Sequence, residues 1–135
     1  MKSLLLALLM TLAATFSASA APDDGRALAS AQEWLALVDS GKYAESWTRA
    51  SSLFRSRVDQ KTWATQIKSV RDEFGPLNNR RVQKVDLVKS FPGVPDGDYA
   101  VVTFQTDFAN KHQAIETVAM KLEKDQWLEA GYFIR

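Results

Sequence analysis

The hydrophobic periodicity of the chain changes at Gly75-Pro76, and this change limits the fold to a helical part followed by a sheet. Before this point, apolar residues recur every three to four positions, as in an amphipathic helix. The clearest series is Trp63, Ile67, Val70 and Phe74. After Pro76, apolar and polar residues alternate, which is typical of half-buried strands. Helices followed by strands predict an α+β domain.

Three helices are expected in the first part. The pattern predicts one helix from Asp23 to about Asp39 and a second over residues 42–50, followed by an irregular or short helical connection around residues 53–58. Asp59 is a suitable N-cap for the next helix, because its carboxylate can accept from the first free backbone N–H groups. Gly75 then ends that helix.

Four strands are expected after the helices, over residues 82–91, 99–109, 113–122 and 127–135. The alternation in the first strand slips near Gln83-Lys84, which predicts a β-bulge. Because the connections are short, successive strands should pair antiparallel. We therefore expect the N-terminal helices to pack on one face of a four-stranded antiparallel meander.

The first twenty residues are typical of a secretory signal peptide. Lys2 precedes an apolar run over residues 4–16, and Ala18 and Ala20 supply the small residues of a cleavage site. The apolar run is shorter than the roughly 20 residues that a membrane-spanning helix needs. We expect cleavage after residue 20, leaving a single α+β domain over residues 21–135 with no membrane insertion.

The absence of cysteine and the charge balance narrow the location and the partners. A chain without cysteine is unlike the small exported domains of eukaryotes, which are rich in disulfides. A bacterial periplasmic or secreted protein is therefore expected. Lys2 is the one charged residue of the predicted signal, so the remaining basic residues equal the 16 acidic ones in number. This balance argues against nucleic acid as a partner.

The sequence contains no recognisable catalytic or metal-binding motif. His112 is the single histidine and lies in a predicted turn, so no zinc or copper site is expected. We assign no catalytic residue, no metal ligand and no cofactor. Arg80-Arg81, with Lys84 and Lys89, forms the one basic cluster, and a solvated strand face is the preferred interpretation.

The aromatic residues are the candidates for a binding site. Their preferred interpretation is a place in the core, which aromatic side chains dominate. The alternative is that some of them line a pocket between the helices and the sheet, since ligand pockets are mostly apolar. The pocket candidates are Trp34, Trp47, Trp63, Phe104 and Tyr132.

The last strand carries large apolar side chains on both of its faces. Strict alternation places Trp127 and Phe133 on one face, opposite the face that carries Tyr132. A monomer rarely exposes a large apolar patch. The curvature of the sheet, a bound ligand or a second copy of the chain could cover this surface. The preferred interpretation is a homodimer through the sheet, with Trp127 and Phe133 in the interface.

Several stretches of the chain resemble an uncharacterised bacterial family, domain of unknown function 4019. The helical part contributes Ala31-x-x-Trp34-Leu35-x-Leu37-Val38-Asp39-x-Gly41-x-Tyr43-x-x-Ser46-Trp47, Ala50-Ser51 and Trp63. The strands contribute residues 91–99, Gln105-Thr106-x-Phe108-Ala109-Asn110-Lys111, Glu116-Thr117-Val118 and Trp127-x-x-Ala130-Gly131-Tyr132-Phe133-Ile134-Arg135. The resemblance brings no known activity. A weaker resemblance is to NTF2-like (cystatin-like) folds, and it implies a strongly curved sheet that often encloses a pocket.

Two functions are compatible with these features. The preferred one is a non-catalytic periplasmic module that binds a small apolar or amphipathic ligand or another envelope protein. The alternative is a small NTF2-like acid–base enzyme that uses a buried carboxylate. Asp107 and Glu116 are the first candidates for that role, because both lie in predicted strands. A buried carboxyl group with a raised pKa facing a cavity would favour the enzyme.

Overall fold

The computed structural model describes residues 23–135, and the predicted signal peptide lies outside the described residues. Four helices precede four strands, in the order α1 (Asp23–Asp39), α2 (Tyr43–Thr48), α3 (Ser52–Arg57), α4 (Gln60–Phe74), β1 (Leu77–Val88), β2 (Tyr99–Phe108), β3 (Lys111–Glu123) and β4 (Gln126–Ile134). Within this part of the chain, no helix has the length and apolar character needed to cross a membrane.

Side-chain caps mark the starts of α3 and α4, and a glycine marks the end of α4. The Ser51 hydroxyl accepts from the backbone N–H of Phe54 at the start of α3. The Asp59 carboxylate accepts from the backbone N–H of Thr62 at 2.8 Å, which confirms the predicted cap of α4. Gly75 follows α4 with φ +78°, a left-handed conformation that favours glycine.

The strands pair antiparallel in the order β1-β2-β3-β4, which confirms the predicted meander and the α+β class. Strand β1 begins at Leu77, five residues before the predicted start, and ends at Val88. Its register against β2 shifts between Val82 and Lys84, where a bulge was predicted.

The core lies between the helices and one face of the sheet. Alternate residues of β2 and β3 face it, as the pattern predicted, and α1 covers them with a stripe of small and apolar side chains. The fully buried members of this layer include Ala31, Leu35, Ala100, Val102 and Val118.

A second register shift, between Ala119 and Met120, changes which face the side chains of β4 occupy. Gly131 pairs with Ala119 and Glu129 pairs with Met120, so Ala130 is the extra residue of a bulge.

Because this bulge reverses the alternation, Trp127 faces the core, where it is 5% exposed, as does Tyr132 beyond the bulge. The predicted outer-face position of Trp127 beside Phe133 is therefore wrong. Phe133 is 66% exposed. The dimer prediction now rests on Phe133 without Trp127.

Candidate functional site

A cleft of about 600 Å³ opens between α1, the α2–α3 segment and the start of β4. Trp34 and Leu37 of α1 line one wall, and Ala50 lines another. Met120 and Trp127 contribute the apolar surface of the sheet. These residues come from both the helical and the strand parts of the chain, so the cleft forms only when the two layers pack together.

Hydrogen bonds between the helical segment and the sheet hold the cleft walls in place. The backbone N–H of Ser51 donates to the backbone oxygen of Glu129 at 2.7 Å. The Ser52 hydroxyl donates to Glu123 Oε1 at the same distance. On the α1 side, Trp34 Nε1 donates to the backbone oxygen of Ser46 at 3.0 Å. Polar contacts thus fix both the orientation of the Trp34 indole and the position of α3.

Glu129 is the unusual residue of this cleft. It is 1% exposed, and neither carboxyl oxygen has a hydrogen-bond partner among the described residues. Burial raises the pKa of the Glu129 carboxyl well above its ordinary value, because the charged form loses its hydration. The side chain therefore stays a neutral carboxylic acid in a pH range where an exposed glutamate is ionised, and it can donate as well as accept.

Trp127 supplies a second unpartnered polar atom in the same cleft. Its indole Nε1–H is buried and finds no acceptor within residues 23–135. Trp127 and Glu129 lie two residues apart, so their side chains extend from the same face of β4. Buried polar atoms are hydrogen-bonded in the great majority of cases. Two unpartnered groups side by side in one cleft are the features expected where a ligand supplies the partners.

Charged side chains surround the cleft. Three arginines line it, Arg26 from α1, Arg49 after α2 and Arg55 from α3, against two acidic residues besides Glu129, Glu33 and Asp125. Asp23 and Glu45 add two carboxylates next to this lining, where they pair with Arg26 and Arg49.

These arginines differ in how firmly they are held. Arg26 is fixed by a 2.6 Å hydrogen bond from its Nη2 to the backbone oxygen of Asp125. Arg49 lies 3.7 Å from Glu45, and Arg55 is exposed.

The structure does not bring the five predicted pocket residues into one pocket. Trp34 lines the cleft. Trp63 and Tyr132 pack on Trp34 in an aromatic cluster inside the fold, with ring centroids 5.9 and 5.5 Å from it. Trp47 is half-buried and donates to the backbone oxygen of Val58.

Phe104, the fifth predicted pocket residue, is 1% exposed in the core and does not line the cleft.

A buried ion network lies at the other end of the sheet, and its centre is Arg80. Its guanidinium donates to both carboxylate oxygens of Asp39, at 2.7 and 2.9 Å, and its Nε donates to Glu116 Oε1 at 2.7 Å. Arg71 donates to Asp39 at 2.6 Å, and the Tyr132 hydroxyl donates to Glu116. The prediction that Arg80 lies on a solvated strand face is therefore wrong.

The charges of this network balance one another. Burial alone would raise the pKa of Asp39, but hydrogen bonds from Arg80 and Arg71 hold it below its ordinary value. Burial and the charge of Glu116 raise the pKa of the Tyr132 hydroxyl. Arg80, Asp39 and Glu116 are satisfied by these contacts, which is the arrangement of a structural ion network, whereas Nε and Nη1 of Arg71 are buried without a hydrogen-bond partner among the described residues.

The two carboxylates singled out from the sequence are both engaged. Glu116 is fully buried but bound to Arg80. Asp107 accepts from the backbone N–H of Gln113 at 2.8 Å. Glu129 was missed, because strict alternation placed it on the outer face of the last strand. Within the described chain, no group of three histidine, cysteine or acidic residues is arranged to hold a metal ion.

Comparison with known protein families gives one match. Residues 30–132 match the model of a family described as "Protein of unknown function (DUF4019)". A comparison with curated proteins finds no match.

Proposed function

The chain belongs to the DUF4019 family, and we propose that it is a non-catalytic module that binds a small amphipathic ligand in the cleft beside β4. The observation that carries this proposal is Glu129, a buried carboxyl group in the lining of the cleft, with no hydrogen-bond partner within residues 23–135. Leaving such a group unpaired destabilises the fold by about 1–3 kcal/mol, and a bound ligand would remove that penalty.

The size and lining of the cleft support this proposal. Ligand pockets commonly enclose about 300–1,000 Å³ and combine apolar walls with a few placed polar groups. The cleft, at about 600 Å³, has this character: the half-buried Leu37 and Leu128 offer apolar surface, and Glu129 and Trp127 contribute buried, unpartnered polar groups to the lining.

We place this module in the bacterial periplasm or outside the cell, with residues 1–20 removed as a signal peptide. The apolar run and the small residues before Ala21 support export. An NTF2-like architecture, with helices against a curved sheet, would account for a cleft between the two layers. In this proposal the envelope protein named above as an alternative partner would bind elsewhere on the surface.

A cleft-blocking substitution tests the binding function. Ser30 lines the cleft from α1, and its neighbour Ala29 is exposed outside it. We expect a fragment library to shift the backbone amide NMR signals of cleft residues in the wild type and in Ala29→Trp, but not in Ser30→Trp. A library that shifts no cleft signal in the wild type would refute the proposal.

The second candidate is an acid–base enzyme with Glu129 as the general acid. Its support is the burial-raised pKa of Glu129, since a carboxyl group that keeps its proton where an exposed glutamate has lost it is suited to donate it to a leaving group. A panel of chromogenic esters and glycosides separates the two functions. Turnover by the wild type that disappears in Glu129→Gln would favour the enzyme, whereas binding without turnover favours the module.

A further inference from the structure

We infer that the cleft recognises the carboxyl group of an amphipathic monocarboxylic acid, which would be bound by the Glu129 carboxyl and the Trp127 indole N–H. The inference rests on the proposed binding function and narrows it to one ligand class. It concerns two adjacent, buried polar groups that share one face of β4 and have no partner in the described part of the chain.

The indole N–H restricts what the ligand can be. An indole nitrogen donates and never accepts, so the group that pairs with Trp127 must present an acceptor. A carboxylate or carbonyl oxygen meets this requirement, and an ammonium group, which has donors alone, does not. Because Trp127 is 5% exposed, water does not freely replace the missing acceptor.

Glu129 supports an acidic ligand because burial keeps its own proton bound. As a neutral carboxylic acid, its O–H can donate to a ligand carboxylate, and its second oxygen remains an acceptor. Two carboxyl groups in contact share one proton, since two adjacent negative charges in a desolvated site repel strongly. The pair therefore carries a single negative charge in total.

The surrounding charges favour that single negative charge. The other charged groups that line the cleft are Arg26 and Glu33 on α1, Arg49 and Arg55 on the α2–α3 segment, and Asp125 in the β3–β4 turn. Asp23 pairs with Arg26 and Glu45 pairs with Arg49. Arg55 forms no ion pair within residues 23–135, so its charge is the one that favours an anion in the cleft. The half-buried side chains of Leu37 and Leu128 offer apolar surface for the remainder of the ligand.

Three probes with one alkyl chain test this assignment: octanoate, octanamide and octylamine. Each is titrated into the purified protein by calorimetry at a series of pH values. We expect octanoate to bind and octylamine not to bind. We also expect the affinity for octanoate to fall at least about tenfold as the pH rises through the titration of Glu129, because both carboxyl groups are then charged.

Three variants test which groups bind octanoate and cause the pH dependence of its affinity. Glu129→Gln keeps a neutral donor and acceptor at the site, so octanoate should still bind and the pH dependence should disappear. Glu33→Gln makes the same chemical change at an exposed position of the same cleft and should leave the pH dependence as in the wild type. Ser30→Trp should abolish octanoate binding, which places the probe in the cleft.

Different results separate the two proposals. Octylamine binding that is lost in Glu129→Gln would overturn the acid assignment and leave the binding module intact. Octanamide binding without octanoate binding would also overturn the acid assignment, and it would indicate a ligand with a neutral carbonyl group. If no probe binds while the fragment library still shifts the NMR signals of cleft residues, the proposed ligand class is wrong. If no probe binds and no fragment shifts a cleft signal, the proposed binding function is wrong as well.

Discussion

Arg80 and Glu116 form an ion pair across an intervening strand: Arg80 Nε lies 2.7 Å from Glu116 Oε1, although β1 and β3 are separated by β2. The Thr106 hydroxyl, on β2 between them, donates to the same carboxylate oxygen. The guanidinium also reaches Asp39 at the end of α1. The Arg80 side chain therefore connects α1 to β1 and β3, and Glu116 extends the network to β2 through Thr106.

We predict that Arg80→Met lowers the free energy of unfolding by about 3–5 kcal/mol, because it leaves the buried Glu116 carboxylate without its counter-ion. Urea unfolding monitored by circular dichroism measures this change. Arg81→Met is the matched control: Arg81 is exposed, so its loss should change stability by no more than about 0.5 kcal/mol. Equal effects of the two substitutions would show that the ion network contributes little.

Sequence patterns predicted a strand over residues 82–91, which starts just after Arg80, and did not predict the environment of the Arg80 side chain. A run of Arg80-Arg81 in a polar segment has the composition of a solvated face. Its burial depends on pairing with Thr106 and on Asp39 and Glu116, which are distant in sequence. Local periodicity carries no information about such contacts, so the ion network required the tertiary structure.

The aromatic cluster around Trp63 gives a second prediction. Trp63 is 7% exposed, lies 5.0 Å from Phe54 between ring centroids, and donates to the Ser46 hydroxyl at 2.9 Å. Trp63→Ala should therefore lower the free energy of unfolding by roughly 3–5 kcal/mol. Lys61→Ala, at an exposed position of the same helix, serves as the control in chemical denaturation. An unchanged midpoint for Trp63→Ala would contradict this packing.

Two glycines should respond in opposite ways to the same change. Gly75 has φ +78°, and an added Cβ would lie 2.9 Å from Asn110 Nδ2, so Gly75→Ala should destabilise the protein by at least about 1 kcal/mol. Gly25 lies within α1 with open space around it. Gly25→Ala should be neutral or stabilising by up to about 1 kcal/mol. Thermal unfolding of both variants tests the pair, and a shift of the same sign in both would contradict it.

The homodimer remains a prediction that Phe133 can test. Phe133 is 66% exposed on the outer face of the sheet, opposite Thr117 on β3. If this face mediates dimerisation, Phe133→Lys should convert a dimer into a monomer in sedimentation equilibrium. Leu87→Lys changes an exposed apolar residue at the far edge, on β1, and should leave the mass unchanged. A wild-type monomer would refute the dimer.

The cleft shows where prediction from sequence stops. The periodic pattern correctly placed α1 and the inward face of β2, because each is regular over its length. In β4 a single extra residue, Ala130, reverses the faces, and Trp127 and Glu129 move from the outer face to the core. A bulge of one residue leaves little trace in a nine-residue strand, so the candidate site was visible only after the pairing with β3 was known.

The unpartnered carboxyl group of Glu129 predicts an unusual dependence of stability on pH. Because its pKa is raised in the folded state, the native protein binds this proton more tightly than the unfolded chain does. This contribution to stability is fully present below the ordinary pKa of a glutamate, about 4.3, and is lost as the pH rises through the raised folded value.

Glu129→Gln removes this loss, so the free energy of unfolding of the variant should increase relative to the wild type as the pH rises from about 4 toward neutrality. Urea unfolding at several pH values measures the difference. Asp39 and Glu123, whose pKa values are lowered, produce the opposite trend, but they are common to both proteins and cancel. Glu33→Gln, an exposed change in the same cleft, should run parallel to the wild type. A Glu129→Gln curve that is also parallel would mean that the Glu129 carboxyl has the same pKa in the folded and unfolded states, so that burial does not raise it.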